Sequence, residues 1–288
     1  MAIASLDELA AALPRGQSLP FRKAAVGHLA YGMTDLFLVA GVPGAGSMAG
    51  VTLDGEFPSS ATAGALPLRD PVAGDDVQIG RLTATCSEAG AVVIYDRIWH
   101  NRIAAFDTAE KVIAWPAGTQ RYSDGEGVEL YAVITEELAD TSPATWTVDF
   151  TDQDGATATA TAAFDTSGTV GRMIPFELPP GSSGVRSVQS FQSSVAQASG
   201  ALALVLVRQL ADLPVAIAGQ RVAQDGIALG LPLVMPGACL CFAAAHGADT
   251  SSGMLMLAKA LGIQPDDLVD NAGAAIGLIA GRVNLIQG

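Results

Sequence analysis

Two stretches of the chain carry residue types that could do chemistry, and the first is GVPGAGSMAG, residues 41–50. Within it, Gly44-Ala-Gly46-Ser-Met-Ala49 fits the G-x-G-x-x-G/A pattern of a dinucleotide-binding turn. Such a turn needs a helix directly after it, so that the free N–H groups of the helix face the pyrophosphate. Gly50, Gly55 and Pro58 discourage a helix here, and no alternation of strands and helices follows. We therefore predict no nucleotide or other cofactor, and glycines that let the segment lie close to another backbone.

The second stretch is Tyr95–Arg102, YDRIWHNR, which brings an acid, a histidine, arginines and aromatic residues together. On a strand, Asp96 and His100 face one way while Arg97 and Trp99 face the other. A hydrolase using Asp96 and His100 is one interpretation. The chain has no G-x-S-x-G nucleophile motif, however, and Arg and Trp are common anchors of protein interfaces. Structural and contact roles are therefore favoured over catalysis, and no catalytic residue is assigned.

The residues that could bind a metal are too dispersed to predict a site. Asp149, Asp152 and Asp154 cluster around DQDG, where a loosely held Ca²⁺ is an alternative to simple turn carboxylates. The histidines form no i,i+4 pair, and the cysteines complete no four-ligand zinc set and no disulfide framework, so buried thiols are expected. These residues are His28, His100 and His246, and Cys86, Cys239 and Cys241.

Composition excludes several classes of partner. The formal net charge of −14 and the absence of a basic run argue against nucleic acid. The apolar windows that start at Ala201 and Ala272 are interrupted or shorter than the roughly 20 residues that cross a bilayer, so no membrane span is expected. The first residues, MAIASLDELAAALP, lack a signal-peptide pattern, which predicts synthesis in the cytoplasm. Half of the residues are apolar and 15% are charged, which favours surfaces buried against other subunits.

The elements that must position these residues are mainly strands. Ser5 and Glu8 have capping-box spacing, which predicts a short N-terminal helix, and residues 41–76 predict a long arm. Beyond residue 78, short segments rich in Val, Ile and Thr alternate with turn residues at about ten-residue spacing. We predict an N-terminal helix and extended arm over 1–78, then an antiparallel β-sandwich, jelly-roll or immunoglobulin-like, over 79–288 with a short C-terminal helical insertion at IQPDDLVDNAG. The predicted strands are IGRLTATC, AVVIYDRIW, VELYAVIT, TWTVDFT, ATATATAAF, GRMIPFEL, VRSVQSFQ, ALALVLVRQL, ACLCFAAAH and GMLMLAK.

Contact surfaces are predicted on three segments. The strand ALALVLV is apolar on both faces, so it should lie in the centre of a sheet or in a subunit interface. The Tyr95–Arg102 segment carries interface-type residues, and the N-terminal arm is rich in Gly and Pro. The predicted interface residues are Tyr95, Arg97, Trp99, His100, Arg102, Leu204, Leu206 and Arg208.

Several stretches resemble a family of tailed-bacteriophage virion proteins: IYDRIWHN, DGEGVELYAVIT, GVRSVQSF, LGLPLVMPGACLCF and the terminal NLIQG. The resemblance runs from FRKAA to the C-terminus, and KALGIQPDDLVDNAGAA departs from the pattern. It implies a β-rich structural subunit on the capsid surface of a virion. The role it implies is that of a head decoration, or cement, protein, which would bind the major capsid protein.

The leading hypothesis is therefore a non-enzymatic bacteriophage structural protein that self-associates, as a homotrimer, and stabilises the capsid. A major capsid protein or a tail component is the alternative within structural roles, although a capsid shell protein should show a long helix. A carbohydrate- or receptor-binding module is an alternative of another class, and it would need aromatic residues exposed on loops.

Overall fold

The computed structural model describes residues 5–12, 15–24, 26–27, 32–69, 76–118, 120–140, 142–165, 168–246, 275–276 and 279–287. The fold is mainly β with antiparallel ladders, as the sequence predicts. One helix, α1 (Leu6–Ala12), precedes the strands of the described chain. The strands are β1 (Gln17–Lys23), β2 (Val26–Gly27), β3 (Met33–Asp35), β4 (Gly41–Val42), β5 (Val77–Cys86), β6 (Gly90–His100), β7 (Ile103–Phe106), β8 (Lys111–Val112), β9 (Glu129–Glu136), β10 (Ala144–Asp152), β11 (Thr157–Phe164), β12 (Arg172–Pro175), β13 (Val185–Ser193), β14 (Gln197–Val215), β15 (Arg221–Asp225), β16 (Leu233–Val234), β17 (Leu240–His246), β18 (Ala275–Ile276) and β19 (Ile279–Gln287).

The predicted N-terminal helix is confirmed, together with its cap. The Ser5 N–H donates to Glu8 Oε2 at 3.1 Å, and the Glu8 N–H donates to Ser5 Oγ at 3.2 Å. These reciprocal bonds satisfy two N–H groups that have no partner within the helix. The cap thus explains why α1 begins at Leu6.

The chain forms two compact units, each built from distant segments. Unit 1 contains residues Met1–Gly46, Ser59–Asp96 and Leu210–Gly288, and unit 2 contains Ser47–Pro58 and Arg97–Gln209. The chain therefore divides differently from the predicted boundary at residue 78. The reason is that residues expected to form an arm, such as those of β1, contribute a strand to the core of unit 1.

In unit 1, one sheet has the strand order β15-β5-β19-β1-β4, with β16 also paired to β5. A second ladder joins β6, β17 and β3, and the small pair β18-β2 lies apart from both. Apolar side chains of the two main sheets share one core, in which Phe21 of β1 stacks on Phe242 of β17 with ring centroids 4.0 Å apart. Pro20 interrupts no ladder bond on the β4 side, because β4 pairs only with Arg22 and Lys23.

Unit 2 is a sandwich of the sheets β11-β10-β13-β8 and β12-β9-β14-β7. The alternation predicted for TWTVDFT is confirmed, since Trp146, Val148 and Phe150 are fully buried. Trp146 stacks on Phe164 at a centroid distance of 4.9 Å. The predicted hairpin through DQDG joins β10 to β11.

The apolar run in β14 lies in the centre of its sheet. Its residues Ala201–Val207 pair with β9 along one edge, and Ala201 and Leu202 pair with β7 along the other. All seven side chains are buried, which explains why the segment is apolar on both faces. The predicted C-terminal helical insertion and the predicted strand GMLMLAK lie outside the described residues.

Candidate functional site

The eight predicted interface residues divide into two groups. Arg102 and Arg208 are partly exposed, and each bonds to its own chain: Arg102 pairs with Glu136, and Arg208 donates to the Glu126 carbonyl. The remaining six side chains are buried inside the chain, so they do not form the contact surface that the sequence predicts. These residues are Tyr95, Arg97, Trp99, His100, Leu204 and Leu206.

His100 lies at the centre of a polar relay in unit 2, between buried Arg97 and exposed Glu56. Arg97 Nε donates to His100 Nδ1 at 2.8 Å, and His100 Nε2 lies 3.2 Å from Glu56 Oε1. Because Nδ1 accepts a hydrogen bond, the proton of the neutral ring is on Nε2, which donates to the Glu56 carboxylate. Burial, reinforced by the neighbouring Arg97 charge, lowers the pKa of His100 to about 2. The imidazole is therefore neutral at physiological pH and links a guanidinium to a carboxylate.

The relay fastens one loop of unit 2, residues 47–58, to the end of β6. Glu56 and His100 exchange backbone hydrogen bonds of 2.9 and 3.1 Å. Trp99 Nε1 donates to the Asp54 carbonyl at 3.3 Å, and Asn101 Nδ2 donates to the Leu53 carbonyl at 2.9 Å.

Gly55 and Arg121 complete the attachment of this loop. A Cβ on Gly55 would lie 2.5 Å from the carbonyl oxygen of His100, and its φ is +76°, so other residues would be strained there. Arg121 donates to the carbonyls of Pro58 and Arg97, both at 2.9 Å. The polar residues of the Tyr95–Arg102 segment thus hold backbone in place.

Asp96 and Tyr95 have comparable partners in unit 1. Asp96 Oδ1 accepts a 2.9 Å hydrogen bond from the Cys239 N–H, and Tyr95 donates to Asp35 Oδ1 at 2.5 Å. The same Asp35 oxygen accepts the Phe37 N–H at 2.9 Å. Asp96 therefore caps a backbone donor beside β17, whereas His100 contacts Arg97 and Glu56. The geometry shows structural bonds for both residues of the hydrolase interpretation.

The glycine-rich stretch 41–50 faces a cation. Buried Lys23 of β1 donates from Nζ to the carbonyl oxygens of Val39, Pro43 and Gly44 at 3.1, 3.0 and 3.3 Å. A phosphate site would present N–H groups, but this turn presents carbonyl groups. Burial lowers the pKa of Lys23, while the nearby Cys241 and Asp35 raise it.

The prediction that these glycines lie close to backbone is confirmed at Gly41 and Gly46, whereas a Cβ on Gly44 or Gly50 would meet no atom of the described chain within 4 Å. A Cβ on Gly41 would lie 1.9 Å from the carbonyl oxygen of Arg22, and one on Gly64 would lie 2.7 Å from the Cα of Gly46. Gly46 also donates its N–H to the Phe37 carbonyl at 2.8 Å. Residues 41–46 therefore pack against unit 1, to which they belong.

The aspartates around DQDG are used by the hairpin and its neighbours. Asp152 Oδ1 accepts the N–H groups of Asp154 and Ala156 at 3.0 and 2.8 Å, as turn aspartates do. Asp149 accepts from Thr159 at 2.6 Å and from Ser190 at 3.3 Å. Within the described residues, no group of three or more His, Cys, Asp or Glu side chains is placed to hold a metal ion.

The cysteines are buried and free, as predicted. The thiols of Cys239 and Cys241 lie 3.8 Å apart, well beyond a disulfide bond length. Burial raises the pKa of Cys86 to about 11. No helix in the described part of the chain is long and apolar enough to cross a membrane.

The surface features that sequence reasoning missed are exposed aliphatic side chains. In unit 1, Ile217 and Ile227 are each 61% exposed and flank the edge strand β15. Leu233 of β16, on the same side of β5, is 44% exposed. In unit 2, Val112 of the edge strand β8 is 70% exposed. Their exposure depends on their position on edge strands or in adjoining turns, which residue type alone does not reveal.

Comparison with known proteins gives no family for the chain. No protein-family model matches it, and no curated protein matches it. Among solved structures, it is similar at 11% identity to the crystal structure of the infectious bursal disease virus VP2 subviral particle, with 94% of this chain and 80% of that chain covered and a TM-score of 0.19. The structure of the infectious bursal disease virus Gt strain matches at 11% identity over the same shares, with a TM-score of 0.17. At these TM-scores the similarity carries no argument about this chain.

Proposed function

We propose that the protein is a non-enzymatic structural protein of a bacteriophage particle, a decoration protein that self-associates and binds the major capsid protein. The observation that carries the proposal is that the polar groups bond within the chain, whereas large aliphatic groups are exposed. The residues that look chemically reactive, above all His100 with Arg97 and Glu56, bond within the chain and fasten its loops. Large exposed aliphatic residues lie instead on edge strands and in the turns beside them, where they can contact other subunits.

Composition and sequence resemblance support the same proposal. A chain with 15% charged residues has few groups that must remain in water, which suits burial between subunits. The segments that resemble phage virion proteins include IYDRIWHN, whose side chains the structure uses for internal bonding.

The proposed action is thermodynamic. A subunit that binds the assembled shell and not its separated parts shifts the equilibrium towards the intact shell, by an amount that grows with the concentration and affinity of the subunit. A homotrimer would bind through three equivalent contacts at once, which raises the effective concentration of each contact.

The test is quantitative mass spectrometry of purified particles of the phage that encodes this chain. Copies in a fixed ratio to the major capsid protein, with the particle less resistant to heat when the protein is removed, would support the decoration role. A few copies per particle would indicate a tail component, and a chain that itself forms the shell would be the major capsid protein. Absence from particles would refute the structural role.

A further inference from the structure

We infer that the edge strand β15 of unit 1 binds the β15 strand of a second copy of this chain, antiparallel and around a two-fold axis at Ala223. Among the described residues, β15 pairs with one strand, β5, along Arg221–Asp225. Its other edge presents backbone groups that a further strand can join, and among them the Asp225 carbonyl also accepts the Leu229 N–H. This inference deepens the self-association in the proposed function and rests on separate observations.

The hydrogen-bond pattern shows which groups of β15 point outwards. Gly226 donates its N–H to the carbonyl of Gly80, which continues the register of Asp225 with Arg81 by one residue. Bonded and non-bonded positions alternate along an antiparallel ladder, so Val222 and Gln224 bond to β5. The N–H and C=O groups of Ala223 then face away from β5. Two copies related by a two-fold axis at Ala223 would exchange hydrogen bonds through these groups.

The charges on β15 fit the same axis. Antiparallel pairing centred on Ala223 places Arg221 of one copy opposite Asp225 of the other, twice. These side chains are exposed, and Asp225 is already the register neighbour of Arg81 in β5. The dimer would therefore extend an Arg–Asp pair into an Arg–Asp–Arg row. Because the strand carries one charge of each sign, the contact avoids the repulsion expected from a net charge of −14.

Apolar residues flank the strand at both ends. Ile217 lies four residues before Arg221, and Ile227 lies two residues after Asp225; each is 61% exposed. Antiparallel pairing brings the start of one β15 beside the end of the other, so the two turns that carry these isoleucines become neighbours. The contact thus combines backbone pairing, complementary charges and apolar surface, which are the parts of strand-addition interfaces.

The first test replaces Ala223 by proline. Proline removes the outward N–H of Ala223 while the bonds of Val222 and Gln224 to β5 remain, and edge strands tolerate proline at such positions. Light scattering should show that A223P lowers the particle mass by half, from dimer to monomer or, where the chain also forms the proposed trimer, from hexamer to trimer. The matched control is A223V, which keeps the N–H and should keep the wild-type mass. A wild-type mass that A223P leaves unchanged would overturn the inference.

The second test reverses the charges of Arg221 and Asp225, and it remains informative even if A223P does not fold. R221E places Glu opposite Asp225, and D225R places Arg opposite Arg221, so each variant alone should self-associate about tenfold to a hundredfold more weakly. Mixing the two variants creates an attractive pair at both positions and should restore the doubled mass. D225N, which keeps the side-chain oxygen that accepts the Ala228 N–H, controls for loss of that bond.

The outcomes separate this inference from the proposed function. If the mixture recovers its association but the chain is absent from phage particles, the β15 contact is supported and the virion role is refuted. If the chain is abundant in particles but the R221E, D225R and mixed samples associate equally, the β15 contact is refuted and the virion role is not.

Discussion

Acid should destabilise this protein through one histidine. His100 has a pKa of about 2 in the folded chain and about 6.5 when unfolded. Below pH 6.5 the unfolded chain therefore binds a proton that the folded chain does not. The free energy of unfolding decreases as the pH is lowered, until both forms are protonated near pH 2. At pH 5.0, one and a half units below the unfolded value, the loss from this group is about 2 kcal/mol.

The perturbation that isolates this effect is His100→Gln. A glutamine can accept the Arg97 Nε–H and donate to Glu56, but it does not titrate. Urea unfolding of the wild type and H100Q at pH 7.5 and pH 5.0 gives four free energies of unfolding. Losses from Asp, Glu and the other histidines occur in both proteins and cancel in the difference. The wild type should lose about 2 kcal/mol more than H100Q on acidification. Equal losses in the two proteins would refute the buried, neutral His100.

Three further predictions concern buried groups. Lys23→Met should lower the free energy of unfolding by about 2 to 4 kcal/mol in urea titrations, because three carbonyl groups lose a charged donor; a change below about 0.5 kcal/mol would contradict the contacts of Lys23. Trp146→Ala should cost about 3 to 5 kcal/mol through the cavity it leaves, whereas Thr147→Ala on the neighbouring position should cost under about 1 kcal/mol. Cys86 should resist iodoacetamide at pH 8 in the folded protein and react in urea, since burial raises its pKa to about 11; rapid labelling without urea would refute its burial.

The strands that follow a two-residue alternation could be predicted from the sequence. Trp146, Val148 and Phe150 occupy alternate positions, and the turn DQDG fixes where the hairpin reverses. The run Ala201–Val207 is apolar at every position, which requires both faces to be covered. In these segments local residue types and tertiary packing demand the same structure.

The strand β1 could not be predicted in this way, because polar residues occupy some of its inward positions. Gln17 and Lys23 are buried alongside Leu19 and Phe21. The Lys23 ammonium is acceptable there because backbone carbonyls from residues 39–44 surround it. Main-chain acceptors leave no signal in residue type, so a buried lysine has the same sequence signature as a solvated one.

The Tyr95–Arg102 segment bonds within its own chain, and the surface position that its residue types predict is wrong. Its polar types suggested surface, whereas every residue of β6 is buried. The run GAVVIY that precedes Asp96 is a signal for a strand covered on both faces. The loop groups that contact these buried side chains, Glu56 for His100 and Met48 for Arg97, lie 44 and 49 residues away in sequence.

The measurement that tests the central claim most directly is the copy number of this protein in purified phage particles, obtained by quantitative mass spectrometry against the major capsid protein. A decoration protein should occur in a constant stoichiometric ratio to the capsid lattice, and the particles should lose heat resistance when it is stripped. A chain found in infected cells and absent from particles would contradict the claim.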